Sequence, residues 1–215
     1  MFNFKYFLYL IVFIIYFPVH AGSYDDFFEG LKNDEPHRVA NLLARGFDPN
    51  TLSADGQYPL VLAIRRPSPS VLDLLLRAKG LRAEVRNAKD ESPLMLASIA
   101  GLIEVCKRLI ALDADVNKTG WTPLHYAASG GHVEVVQLLL GHAAYIDAES
   151  PNKTTPLMMA AMYGNPQTVE LLLAEGADAS LKNEKGMSAM DFAEAAGKQA
   201  SAKLLARHLG SKPKP

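Results

Sequence analysis

The residues capable of chemistry are few and scattered. Six histidines (His20, His37, His125, His132, His142 and His208), one cysteine, Cys106, and 23 acidic side chains are the stock for any catalytic or metal site. They match no known arrangement. The chain has no G-x-x-x-x-G-K-[ST] phosphate loop, no G-x-G-x-x-G after a strand, no H-E-x-x-H and no G-x-S-x-G nucleophile turn. A metal at His125, His132 or His142 would need carboxylates or thiols at ligand spacing, and no such spacing is present. Asp113, Asp115, Asp147 and Asp178 recur with a fixed period, as structural residues do, whereas a catalytic acid has no reason to appear once per period. Two N-x-T sequons, Asn117-Lys118-Thr119 and Asn152-Lys153-Thr154, would be glycosylation sites in a eukaryotic secretory pathway. In a bacterium they are turn-forming asparagines, the reading adopted here. Neither catalysis nor any cofactor or metal is expected.

Composition excludes further classes. The 215 residues are 49% apolar and 21% charged, ordinary for a globular protein, and the net charge is −1. Nothing in that balance would draw the chain to nucleic acid or to an anionic membrane. Cys106 can form no internal bridge, so stability must come from packing. It stands where Val136 and Val169 stand in later, similar segments, which makes it a small buried hydrophobe rather than a reactive thiol.

The first 21 residues differ from the rest. Lys5 is followed by an apolar run, Tyr6 to Val19, and then by Val19-His20-Ala21 before the polar Gly22-Ser23. This is the three-part pattern of a secretory signal peptide, with cleavage expected after Ala21. The run is 14 residues long, short of the roughly 20 that span a bilayer. A periplasmic or secreted product with no stable membrane insertion is therefore expected.

The elements that position the remaining residues come from internal repetition. G-Q-Y-P-L-V-L-A from Gly56, D-E-S-P-L-M-L-A from Asp90, T-G-W-T-P-L-H-Y-A-A from Thr119 and K-T-T-P-L-M-M-A-A from Lys153 align directly, with a weaker copy from Lys185. Pro59, Pro93, Pro123, Pro156 and Ala189 are spaced by 34, 30, 33 and 33 residues. In each copy Ser or Thr before proline starts a short helix. In the copy from Thr155, Leu157, Ala160 and Ala161 form one apolar stripe. Gly164 is expected to end that helix, Thr168 to Ala174 to form a second, and Gly176 to stop it. A hairpin of this size cannot bury both faces alone, so neighbours must stack.

These residues resemble ankyrin repeats. Gly120–Ala144 reproduces most of the family's D-x-x-G-x-T-P-L-H-x-A-A-x-x-G-H-x-x-V-V-x-L-L-L-x-x-G-A-D-x-N pattern. The resemblance implies an all-α solenoid of about six helix-turn-helix units with degenerate ends. The expected units are 24–54, 55–88, 89–117, 118–150, 151–183 and 184–209, in a domain spanning 22–209 with a flexible tail at 210–215. Together with the leader it is similar to exported, periplasmic ankyrin proteins of Gram-negative bacteria. In the family His125 would bond a neighbouring helix start, and His132 follows the turn glycine. Two departures stand out. P-S-P-S near Pro67 replaces the usual turn glycine, and the 30-residue spacing shortens one finger, leaving a notch beside Trp121, the only tryptophan.

The family resemblance also implies a concave binding face, lined by a second stripe on each first helix. Here that stripe reads Leu96, Ile99, Tyr126, Met159, Met162 and Tyr163, with Trp121 at the notch. Packing of Leu96, Tyr126 and Met159 against neighbouring helices would produce the same pattern. Methionine-rich surfaces adapt to varied partner shapes. The expected function is a monomeric, non-catalytic interaction scaffold of the bacterial envelope that holds a protein partner. The alternative is an inhibitor or immunity protein blocking a toxin or enzyme in the same compartment. N-terminal sequencing of the exported protein should read from Gly22; retention of Met1 in a membrane fraction would contradict the leader.

Overall fold

The computed structural model describes residues 22–66 and 68–211. The expected leader at 1–21, Pro67 and the last four residues lie outside the described residues. Every regular element among the described residues is a helix. The chain divides into two compact units, one ending at Arg82 and the other beginning at Ala83.

In the first unit α1 (22–32), α2 (Pro36–Ala44), α3 (Pro59–Arg65) and α4 (Pro69–Leu75) surround a small core. Phe27 is fully buried and stacks on Phe47, with ring centroids 4.4 Å apart. Val39, Leu60, Val61, Val71 and Leu75 complete the core. Arg66 takes an extended conformation (φ −111°, ψ 135°), whereas the corresponding Gly131 is left-handed at φ 71°. At the start of α4, Asp34 accepts from the Val71 amide at 2.8 Å.

The second unit holds four helix pairs. These are α5 (Pro93–Ile99) with α6 (Ile103–Ala111), α7 (Pro123–Gly130) with α8 (Val133–Gly141), α9 (Pro156–Met162) with α10 (Pro166–Ala174), and α11 (Ala189–Ala195) with α12 (Gln199–Ser211). First helices stack on first helices and second on second. Leu94, Ala97, Leu124, Ala128, Leu157 and Ala161 are fully buried between the first helices. Cys106, Val136 and Val169 are equally buried on the second. Burial pushes the Cys106 thiol up to about 11, which leaves it protonated and unreactive.

Helix starts follow the proline signal. Ser92 and Thr155 accept from the amides of Met95 and Met158, three residues on, and Ser188 from that of Asp191. Two details differ from expectation. The helix expected to begin at Thr168 begins at Pro166, because Asn165 caps it by accepting from the Thr168 amide at 2.9 Å. The expected tail from residue 210 starts inside α12, which runs to Ser211.

A second set of bonds crosses between repeats. Within the first unit Asn50 donates to the Gly80 carbonyl and accepts from the Arg82 amide, both at 2.9 Å. Asn117 does the same to Ala143 and Tyr145 in the second unit, at 2.7 and 2.8 Å. Glu84 and Asp147 accept from the amides of Asp115 and Asp178 at 3.0 Å each. On the opposite turns His132, Asn165 and Lys198 meet the carbonyls of Ile99, Gly131 and Gly164 at 2.9, 2.8 and 3.2 Å. On both sets of turns, polar side chains of one repeat thus bond backbone groups of its neighbour.

The repeats tolerate side chains unequally at two glycines. A methyl group on Gly164 would lie 2.5 Å from the Ala128 carbonyl oxygen and 2.9 Å from that of Ala160, both backbone atoms. On Gly141, inside α8, it would meet nothing within 4 Å. Gly164→Ala is therefore expected to destabilise by about 1–3 kcal/mol. Gly141→Ala should stabilise by about 0.4–1 kcal/mol through the unfolded chain's lost entropy. Urea unfolding of both variants checks the opposite signs.

Candidate binding groove

The groove begins with a missing hairpin. The connections after α8 and α10 run 142–155 and 175–188, whereas the one after α6 runs only 112–122. The longer fingers close in a turn. Lys153 donates to the Ser150 carbonyl and Ser150 to that of Thr154, and Gly186 and Asn183 repeat this with Asn183 and Met187. The short finger has no such turn. It is tied instead by Lys118, whose ammonium meets both the carboxylate and the carbonyl of Asp90 on the preceding finger. That ammonium holds Asp90 below the usual carboxylate range.

Shortening the finger leaves Trp121 partly exposed. Its indole meets the His125 ring edge-on, with centroids 5.2 Å apart and planes at 73°. His125 is itself fully buried. The Thr122 amide donates to Nδ1 at 3.1 Å, so the ring proton sits on Nε2 and is donated to the Thr154 carbonyl at 2.8 Å. One imidazole thereby joins a helix start to the next finger and supports the tryptophan.

Two open pockets share the walls formed by Trp121 and Met159. The first, about 270 Å³, is completed by Ile99, His125, Tyr126 and Ser129. The second, about 340 Å³, adds Met162, Tyr163, Met187 and Phe192, with Asn152, Asn183 and Lys185 at its polar side. All six residues proposed from sequence, Ile99, Trp121, Tyr126, Met159, Met162 and Tyr163, line one pocket or both. Ile99 is 42% and Tyr163 56% exposed, so neither is a core residue. Leu96 is only 7% exposed and belongs to the packing between helices. Tyr126 is intermediate: its ring lines the first pocket while its hydroxyl donates to Glu91 at 3.2 Å.

Sequence reasoning missed Met187, Lys185, Asn152 and Asn183. A signal for Met187 existed. It precedes the N-cap Ser188 as Trp121 precedes Thr122, and that position lines the groove in both repeats. The two asparagines and Lys185 sit on finger tips, where the repeat pattern is weakest.

Burial lowers the His125 pKa to about 4, from 6.5 for a free histidine, and its carbonyl partners only partly offset this. Between those pH values the unfolded chain binds a proton that the folded chain refuses. The stability this histidine confers is complete above pH 6.5 and is lost as pH falls toward 4, by up to about 1.4 kcal/mol per pH unit. Met95 and Met158 hold the same position in neighbouring repeats. The stability gap between wild type and His125→Met should therefore narrow as pH falls from 6.5 to 5, measured by urea unfolding at each pH.

Comparison with known proteins places this geometry in context. The model of the ankyrin repeats, taken three copies at a time, matches residues 30–119, 68–150 and 146–214. The mouse B-cell lymphoma 3 protein homolog is 33% identical over 155 residues, 69% of this chain but 35% of its own length. The Schizosaccharomyces pombe glycerophosphocholine phosphodiesterase gde1 is 32% identical over 113 residues, 51% of this chain and 10% of its own. This chain thus spans about a third or less of the length of these relatives. An ankyrin repeat domain from Acinetobacter baumannii superposes with TM-score 0.73 at 25% identity, covering 84% of this chain and 95% of that one. A chain from a complex of a predatory endopeptidase with an immunity protein, from Bdellovibrio bacteriovorus, gives TM-score 0.73 at 28% identity, over 85% and 97%. From the spacing of its prolines to its stacked helix pairs, the chain belongs to the ankyrin-repeat family.

Proposed function

We propose that this protein is a non-catalytic binding module of the bacterial envelope, holding a protein partner in the groove centred on Trp121 and Met159. The observation that carries the reading is the pair of adjoining pockets. Their walls are apolar side chains that the fold leaves partly uncovered, although repeats of this kind bury apolar surface readily. Ankyrin repeats serve protein–protein interaction, and the groove says where on this chain that would occur. The leader pattern supports an envelope location, and no described helix is long and apolar enough to cross a membrane.

A second reading, an inhibitor or immunity protein, is favoured by one observation. The chain is similar over nearly its whole described length to a component of the endopeptidase–immunity complex. The readings separate on the partner's activity. If the protein captured from an envelope extract is an enzyme silenced by stoichiometric addition of this chain, the inhibitor reading stands. If its activity is unchanged, the scaffold reading stands.

Both readings use the same surface, and truncations test it. Large side chains at the centre of an interface cost about 2 kcal/mol or more when removed, roughly 30-fold in affinity. Met162→Ala, Tyr163→Ala and Trp121→Ala should each weaken the captured partner by that order in calorimetry. Gln137→Ala and Glu170→Ala, exposed on the second helices, should change nothing. Thermal unfolding of each variant separates lost contacts from lost fold, which matters most for Trp121 because it packs on His125. Unchanged affinity and stability in Met162→Ala and Tyr163→Ala would remove the groove from consideration.

A further inference from the structure

Resting on the groove reading above, we infer that the partner docks through a segment carrying one large apolar anchor and, within about three residues, an aspartate or glutamate side chain. The anchor follows from volume and lining. A dry apolar cavity of about 150 Å³ accepts a benzene ring. The first pocket has about 270 Å³ between Ile99, Trp121, Tyr126 and Met159, enough for one aromatic or branched side chain to lie against its apolar walls with one side open to solvent. The buried imidazole of His125 adds no free donor there, because its Nε2–H is already given to Thr154 and its Nδ1 is occupied by Thr122.

The acidic neighbour follows from charge. No aspartate or glutamate is among the lining residues of either pocket, and the charged side chain among them is Lys185, in the second pocket. Lys118, on the short finger next to Trp121, lines neither pocket and is committed to Asp90. Glu184 lies next to Lys185 in sequence but outside the lining, and its amide is tied to the Asn152 carbonyl. Asn152 and Asn183 flank Lys185 in the same pocket. The Asn183 side-chain oxygen is taken up by the amides of Lys185 and Met187, so the acceptor of that amide is spent within its own turn. The groove therefore offers an apolar slot beside a cation with no carboxylate among the lining residues, a pattern complementary to an acidic side chain next to an anchor. Since the two pockets share the Trp121 and Met159 walls, one short extended segment, advancing about 3.3 Å per residue, reaches both.

Selection of a random peptide library displayed on phage against the purified chain tests this. Enriched sequences should pair an aromatic or large aliphatic residue with Asp or Glu no more than three positions away. A synthetic peptide of the leading sequence should lose at least tenfold in affinity against Lys185→Glu and weaken as salt rises. Lys203→Glu, the same charge change on exposed α12, should alter affinity less than twofold. Enrichment without acidic residues, equal losses in Lys185→Glu and Lys203→Glu, or no enrichment at all would overturn the inference. A peptide lost on Tyr163→Ala but indifferent to Lys185→Glu would remove the acidic specificity alone and leave the groove in place. Indifference to Tyr163→Ala and Met162→Ala would remove both.

Discussion

A helix pair from one repeat has more apolar surface than it can cover by itself, and the fold of the second unit answers to that constraint. Leu94, Leu124 and Leu157 are fully buried only because each first helix lies against the next, and Cys106, Val136 and Val169 are buried by the same logic on the second helices. Stacking brings backbone ends together as well as side chains. The polar residue that each repeat sends to its neighbour's backbone, such as Asn117 to Ala143 and Tyr145, is the consequence. These bonds lie at exposed turns, where water would otherwise serve the same groups, so each contributes about 0.5–1.5 kcal/mol and acts mainly to orient one turn on the next. Burial of apolar surface thus sets the register, and the side-chain-to-backbone bonds fix it.

The groove arises where that regularity is broken. A full-length finger closes on itself through Ser150 or Asn183, but the connection after α6 lacks the residues to do so. Lys118 ties it to Asp90 instead, and Trp121 is left between two pockets rather than beneath a hairpin. His125 keeps the indole in place because both its nitrogens are already engaged with backbone. A local deletion in an otherwise repeating framework has therefore created concave apolar surface without disturbing the helices that carry it. This is the usual relation between a rigid scaffold and the connecting segments that bear function.

Much of this was legible in the residues. Proline at 34-, 30- and 33-residue intervals, with Ala189 a further 33 on, located the first helices, and α5, α7, α9 and α11 begin at Pro93, Pro123, Pro156 and Ala189. The missing three residues marked Trp121, and five of the six residues of the second apolar stripe, all but Leu96, line the pockets. Other features were hidden for physical reasons. Gly164 read as a helix stop, yet its role is close approach to the Ala128 carbonyl, which only three-dimensional packing reveals. The second helix read as starting at Thr168, although Asn165 caps it from further back and bonds Gly131 at once. Lys185 and the finger asparagines belong to turns whose sequence varies from repeat to repeat, so no periodicity singled them out. Leu96 and Ile99 fall in one stripe, but the last turn of α5 leaves Ile99 open and Leu96 covered.

The central claim is that the partner sits in the groove at Trp121 and Met159 and not on the second-helix surface. A photo-crosslinking amino acid placed at Tyr163 or at Gln137 in the living cell tests it most directly, since both positions are exposed. A discrete crosslinked adduct from position 163 and none from position 137 is the predicted result. An adduct from position 137 alone, or equal adducts from both, would contradict it.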